Sequence, residues 1–211
     1  MARIYMLCVM AKVPIAGATK TRLAPKLGAA GAADFSAAMT ADVCAIAAAT
    51  GLPWRVCFDG PEDHPWTVAL PYSTERQCDG DLGERLTHAL RQGGIAIGTD
   101  CVLLSPDTLV AAHGELLAGA DLVLGLARDG GYTFVGASVH AVRSRIFEGI
   151  PWSMPHTAAA QLRRAQQLRL RVRTMDGTFD VDEPEDIDAL RGALAPTSNT
   201  VAPRSRAWHA L

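Results

Sequence analysis

The chain has 211 residues, 49% hydrophobic and 20% charged, with a net charge of −2 and a pI near 6.3. That length suits one well-buried domain, and the composition is globular rather than disordered. The slight negative charge excludes an overall basic field for nucleic acid, so any cationic site is local.

The apolar run at 3–10 predicts a strand buried on both faces. The opening MARIYMLCVM is too short for a signal peptide and is interrupted by Lys12, which leads us to expect a cytoplasmic chain. The loop that follows, AKVPIAGATKTRLAPKLG, carries Lys12, Lys20, Arg22 and Lys26 and no carboxylate; the first acid in the chain is Asp34. Residues 29–50 place Phe35, Met39, Val43 and Ile46 at helical spacing, with Gly51 as a C-cap. A second strand is expected at 54–58, then a loop-rich stretch over 59–80 with one short strand near Val68. A helix at 81–92, stopped by Gly93 and Gly94, precedes a buried strand at 101–104. Ser105-Pro106-Asp107-Thr108 opens a further helix.

Strands are expected at 121–126 and 132–136, around an Asp129-Gly130-Gly131 turn. Helices at 139–147 and 156–168, a strand at 170–175 and a helix from Pro184 follow. Periodicity is lost from Pro196, which predicts a domain over 1–194 and a disordered tail over 195–211. No run approaches the roughly 20 apolar residues of a membrane span, so no membrane partner is expected. Strands alternating with helices predict an α/β fold: one domain, a mostly parallel sheet and helices on both faces. Ligands of such sheets bind at the carboxyl ends of the strands. The basic loop leaves the first strand at that edge, and the Asp107 turn is expected beside it.

AGATKT fails the P-loop pattern because Thr19, not glycine, precedes Lys20, and no GxGxxG occurs. What remains is a loop of side-chain cations in which Gly17 lets the backbone approach a ligand. Seven acids and no Lys or Arg lie between Asp176 and Asp188. Some of them punctuate the helix at Pro184. Asp180 and Asp182, two apart on an extended segment, share one face. Hard oxygen ligands of this kind suit magnesium or manganese held with a substrate phosphate. The five cysteines have no zinc-ligand spacing and suit a reducing compartment.

Five stretches in order carry a resemblance: AKVPIAGATKTRL at 11–23, QCDGDLGER at 77–85, DGGY at 129–132, FEGIPWS at 147–153 and DVDEPED at 180–186. With them the chain resembles the DUF2064 family, bacterial proteins of the glycosyltransferase-A-like (GT-A, Rossmann-like) nucleotide-diphospho-sugar transferase fold. The resemblance covers most of residues 5–190. It implies a metal-dependent enzyme transferring a sugar from a nucleotide-diphosphate sugar to a small-molecule acceptor. The same fold serves nucleotidyltransferases that use a nucleoside triphosphate, a guanylyltransferase among them, and admits non-catalytic nucleotide-binding relatives.

By the same resemblance, Lys20 and Arg22 hold the diphosphate, with Lys12, Gly17 and Thr21 in support. Gln77, Gly80 and Asp81 line the nucleotide or sugar. Asp129 accepts the acceptor's proton, and Gly130, Gly131, Tyr132 and Trp152 line the acceptor and sugar. The family's metal turn, Gly-Ser-Asp-x-Pro, is altered here to Leu104-Ser105-Pro106-Asp107-Thr108, which aligns Asp107. Gly98-Thr99-Asp100 matches better in letters but precedes the strand expected at 101–104. Asp107 and Asp182 are therefore the expected ligands of a divalent metal, magnesium or manganese, with Asp100 as the rival. The plainer alternatives are a solvated basic face, helix caps at Asp81 and Asp182, a simple Asp-Gly-Gly turn and core aromatics.

Overall fold

Along β1 (Met6–Lys12), Leu7, Val9 and Ala11 face one apolar layer while Cys8 and Met10 face another, because helices cover both sides of the strand. This computed structural model describes residues 5–198 and 200–208. Seven strands form one sheet in the order β3-β2-β1-β4-β6-β5-β7. The others are β2 (Trp54–Asp59), β3 (Thr74–Arg76), β4 (Gly94–Gly98), β5 (Leu122–Leu126), β6 (Tyr132–Ala137) and β7 (Val172–Asp176). Only β6 runs antiparallel to its neighbours, so the sheet is the mostly parallel one expected.

One layer holds α1 (Ala24–Ala49), α4 (Pro106–Leu117) and α7 (Pro184–Leu194). The other holds α3 (Leu82–Ala89), α5 (Val139–Arg143) and α6 (Thr157–Gln167); α2 (Pro65–Val68) is a short turn between strands. Gly28, at φ 72 and ψ 163, breaks α1, so its regular part begins at Ala29. By length and composition Thr21–Ala49 would suffice to cross a bilayer. Here its face of Phe35, Met39, Val43 and Ala47 is buried in the core of the first layer. Phe35 is fully enclosed, and trimming it to alanine would cost about 3–5 kcal/mol.

Three expectations are corrected. Near Val68 the chain is helical rather than extended, since Pro65 starts a turn whose His64 side chain accepts from Trp66 N at 3.2 Å. The extended segment comes later, as β3. Residues 101–104 form a buried turn, and the strand is β4, Gly94–Gly98. Gly94 is not a helix stop: at φ 151, a Cβ there would lie 2.5 Å from Met6 O, so glycine allows β4 to close on β1.

The third correction is the tail. Pro203–Ala207 is a helix, α8, packed on α1. The buried Asp42 carboxylate accepts from Arg204 N at 3.1 Å and Ser205 N at 2.7 Å, and the Trp208 ring lies 5.1 Å from that of Phe35. One acid inside an alanine-rich helix gives no periodic signal of this docking. Asn199 and residues 209–211 of the expected tail lie outside the described residues.

Candidate functional site

The carboxyl end of β4 leads directly into Thr99 and Asp100, so Asp100 sits where the first strands deliver their loops. Val181 N donates to Asp100 O at 3.2 Å, which fastens the segment between β7 and α7 to the same edge. Val181 is buried, and Asp180 and Asp182 on either side of it point with Asp100 to one place. Ligand oxygens of the three carboxylates lie within 4.8 Å of one another. Asp182 does not cap α7. The N-cap is Glu183, in a reciprocal capping box with Asp186, whose carboxylate accepts from Asp182 N at 3.0 Å and Glu183 N at 2.7 Å.

The expected ligand Asp107 is not in this group. It lies exposed in the first turn of α4, its N–H donating to Ser105 Oγ at 3.2 Å. Asp100 takes the position assigned to it, because the strand ends at Gly98 and not at Leu104.

Lys20 enters the cluster from the other end of the chain. Its backbone is left-handed at φ 49, and its side chain is only 12% exposed. Nζ donates to Asp182 Oδ1 at 2.6 Å, Val181 O at 2.7 Å and Asp100 Oδ2 at 3.0 Å. Thr19, noted in the sequence only for breaking the P-loop pattern, sets this geometry: its hydroxyl donates to Val13 O at 2.7 Å and accepts from Ile15 N at 3.2 Å. Burial works against the Lys20 charge, but Asp100 and Asp182 outweigh it and hold the ammonium above its ordinary pKa. Asp180 goes the other way: burial first, then the Asp100 charge, push its carboxyl up to about 6.

The acid-free loop and the base-free segment thus meet each other. Besides Lys20 with Asp182, Arg22 pairs with Glu183 at 3.2 Å and Lys26 with Asp188 at 2.9 Å. The latter two pairs are exposed, so solvent screens them and they add little to stability. Lys12 ends β1, exposed, in register with Asp59. Gly17 (φ 78) and Thr21 are exposed on the same loop.

Beside the cluster is a cleft of about 320 Å³ lined by Arg22, Leu82, Asp129, Gly131, Tyr132, Trp152, Asp180 and Asp182, among others. Asp129 is held by its turn: Gly131 N donates to Asp129 Oδ1 at 2.9 Å. Gly130 (φ 88) lets that turn press on the next loop, where a Cβ would fall 1.8 Å from Pro155 O. The Tyr132 hydroxyl reaches Gln161 Oε1 at 3.4 Å, and burial raises its pKa. Trp152 lies against the start of α3, its ring 3.2 Å from where a Gly83 Cβ would be.

Three expected residues have their polar groups committed or occupied elsewhere. The buried Gln77 amide donates to Cys57 O at 2.7 Å and Ala11 O at 3.3 Å, tying β1 to β2. Asp81 caps α3 in a reciprocal pair with Glu84. Gly80 (φ 115) makes room for the same Glu84 side chain.

The donor set fits a hard divalent cation: three carboxylates converge, and two of them already share a cation in Lys20. An α/β sheet in this strand order, with acids and a basic loop at its carboxyl edge, has the fold of nucleotide-diphospho-sugar transferases and nucleotidyltransferases. The chain belongs to the family described as "Uncharacterized protein conserved in bacteria (DUF2064)", whose model matches residues 40–154. That span includes Asp100, Asp129 and Trp152 but neither the Lys20 loop nor Asp180 and Asp182.

Among solved structures, one from Desulfovibrio desulfuricans G20, provisionally named a nucleotide-diphospho-sugar transferase, is 23% identical. It covers 97% of this chain and 93% of its own, with a TM-score of 0.86. CMP:2-keto-3-deoxy-manno-octonic acid synthetase, in complex with CTP, is similar at 11% identity, 91% and 98% coverage and TM-score 0.60. Rv0371c of Mycobacterium tuberculosis H37Rv, in complex with manganese, is similar at 17% identity, 90% and 98% coverage and TM-score 0.55. No curated protein matches significantly in sequence.

Proposed function

We propose that the protein is a divalent-metal-dependent transferase that moves a sugar from a nucleotide-diphosphate sugar to the hydroxyl of a small acceptor. The observation behind this reading is that a three-carboxylate cluster, the Lys20–Arg22 loop and a cleft holding Asp129 and two aromatic side chains share one sheet edge. Asp100, Asp180 and Asp182 would hold the magnesium or manganese ion. Bound there, it would supply positive charge to the departing nucleoside diphosphate.

Arg22, on the cleft wall, offers a planar fork matched to diphosphate oxygens. Lys12, Gly17 and Thr21 would extend these contacts along the loop. Tyr132 and Trp152 give the sugar flat walls. Asp129, on a turn fixed by Gly130 and Gly131, takes the proton of the acceptor hydroxyl as its oxygen attacks the anomeric carbon. The sugar–phosphate bond breaks and its electron pair leaves with the diphosphate.

Nucleotidyl transfer from a nucleoside triphosphate is the second reading, favoured by the fold shared with a synthetase that binds CTP. Incubation with nucleotide sugars or triphosphates, plus magnesium and candidate acceptors, separates the two. Release of nucleoside diphosphate supports the first and release of pyrophosphate the second. Binding with no turnover would contradict both and favour a non-catalytic nucleotide-binding protein.

A further inference from the structure

Lys20 spends all three of its ammonium protons inside the cluster, on Asp100 Oδ2, Asp182 Oδ1 and Val181 O. Two of these oxygens belong to the carboxylates assigned above to a metal ion. A divalent cation would have to share these carboxylates with the ammonium, which occupies one oxygen of Asp100 and one of Asp182, and two positive charges repel at such range. Nor does Lys20 have a proton left for phosphate while it stays there. Its neighbours allow another position: Gly17 (φ 78) and Ala18 are exposed on one side, and a short helical turn, Thr21–Leu23, begins on the other.

We infer that Lys20 is an exchangeable resident cation, which holds the three carboxylates together and yields them to a divalent ion, moving to the phosphates of the nucleotide. This rests on the metal-dependent reading above and adds a rule of binding to it. Metal alone must displace Lys20 with no new partner to receive it, so it binds weakly. A polyphosphate gives the ammonium a destination and the ion further oxygen ligands, so metal and nucleotide each strengthen the other's binding by the same factor.

Two measurements test this without recourse to activity. Mn2+ alone, titrated by electron paramagnetic resonance, is expected to bind the Lys20→Met variant at least ~10-fold more tightly than the parent, since the competing cation is gone. In the parent, acylation of Lys20 by an N-hydroxysuccinimide ester, read by mass spectrometry, is expected to rise several-fold on adding Mn2+, with Lys26 unchanged. If Lys20→Met binds Mn2+ no more tightly than the parent, the exchange is overturned while the metal site stands. If neither protein binds Mn2+, the metal site itself fails and takes the exchange with it. Should the variant not fold, the labelling decides alone, and unchanged Lys20 reactivity overturns the inference.

Discussion

Glu75 on β3 and Lys20 in the loop after β1 are each a single charge held by several of opposite sign, and the two clusters differ in what is left over. Glu75 is met by Arg55, by Arg91 Nη2 at 2.8 Å and by His88 Nε2 at 3.2 Å. These groups join β2, β3 and the end of α3. Burial works to raise the Glu75 pKa, but the hydrogen bond from Arg91 and the Arg55 charge overcome it and hold the carboxyl below its usual range. Every negative charge there is answered. Around Lys20, three carboxylates share one ammonium, and Asp180 has no ion pair among the described residues. A carboxyl pushed up to about 6 is one that a further cation would stabilise. The cluster whose one carboxylate is fully answered is a brace; the one left with surplus carboxylates has the character of a binding site.

The sharpest way to break the comparison is to exchange the effects of substitutions in the two clusters. Asp100→Asn is expected to reduce Mn2+ affinity by at least the ~10–100-fold that an outer-shell change costs, measured by titration calorimetry, because it removes one of the proposed ligands. Glu75→Gln is expected to leave Mn2+ affinity unchanged and to lower stability in urea by about 1 kcal/mol, because Arg55 loses its charged partner while Arg91 and His88 remain open to water. Equal effects of the two on metal affinity would erase the distinction.

Acidity sharpens it further. The Asp180 proton is retained up to about pH 6 in the folded protein, so below that pH a metal ion must displace it. Mn2+ affinity is expected to rise about tenfold per unit as the pH climbs towards 6, and then to level off. Arg22→Ala comes next, weakening nucleoside diphosphate binding in a fluorescence titration by about 1.5 kcal/mol, the lower end for an exposed charged donor. Asp107→Asn is the smallest, with changes in both affinities and in stability expected within about 0.5 kcal/mol.

The sheet was legible because its long elements are strongly periodic: the run through Leu7 and Val9, the Phe35–Met39–Val43 face, and the helices at 106–117 and 184–194. The site was legible in parts but not in its assembly. The basic loop and the acidic segment each looked, alone, like a surface facing a ligand. That Lys20 meets Asp182, 162 positions away, could not be read from either. Asp100 stood second because the apolar run at 101–104 reads as the strand and so puts Asp100 before it; the close approach of Gly94 to Met6 O, which makes 94–98 the strand, is a tertiary fact. Gln77 and Asp81 were nucleotide contacts by resemblance only, with a cap as the alternative at Asp81; here their side chains serve backbone groups, as amides and carboxylates do as readily as ligands. Asp129, Tyr132 and Trp152 do line one cleft, brought together by β6 and the loop before α6.

The central claim is that Asp100, Asp180 and Asp182 form the cation site of this sheet edge. Anomalous diffraction at the manganese edge, from crystals grown with Mn2+ and a nucleoside diphosphate, tests it most directly. The account predicts one strong peak about 2.1 Å from carboxylate oxygens of these aspartates, with Lys20 Nζ withdrawn from them towards phosphate. A peak at Asp107, or an undisturbed Lys20 bridge with no manganese beside it, would contradict the account.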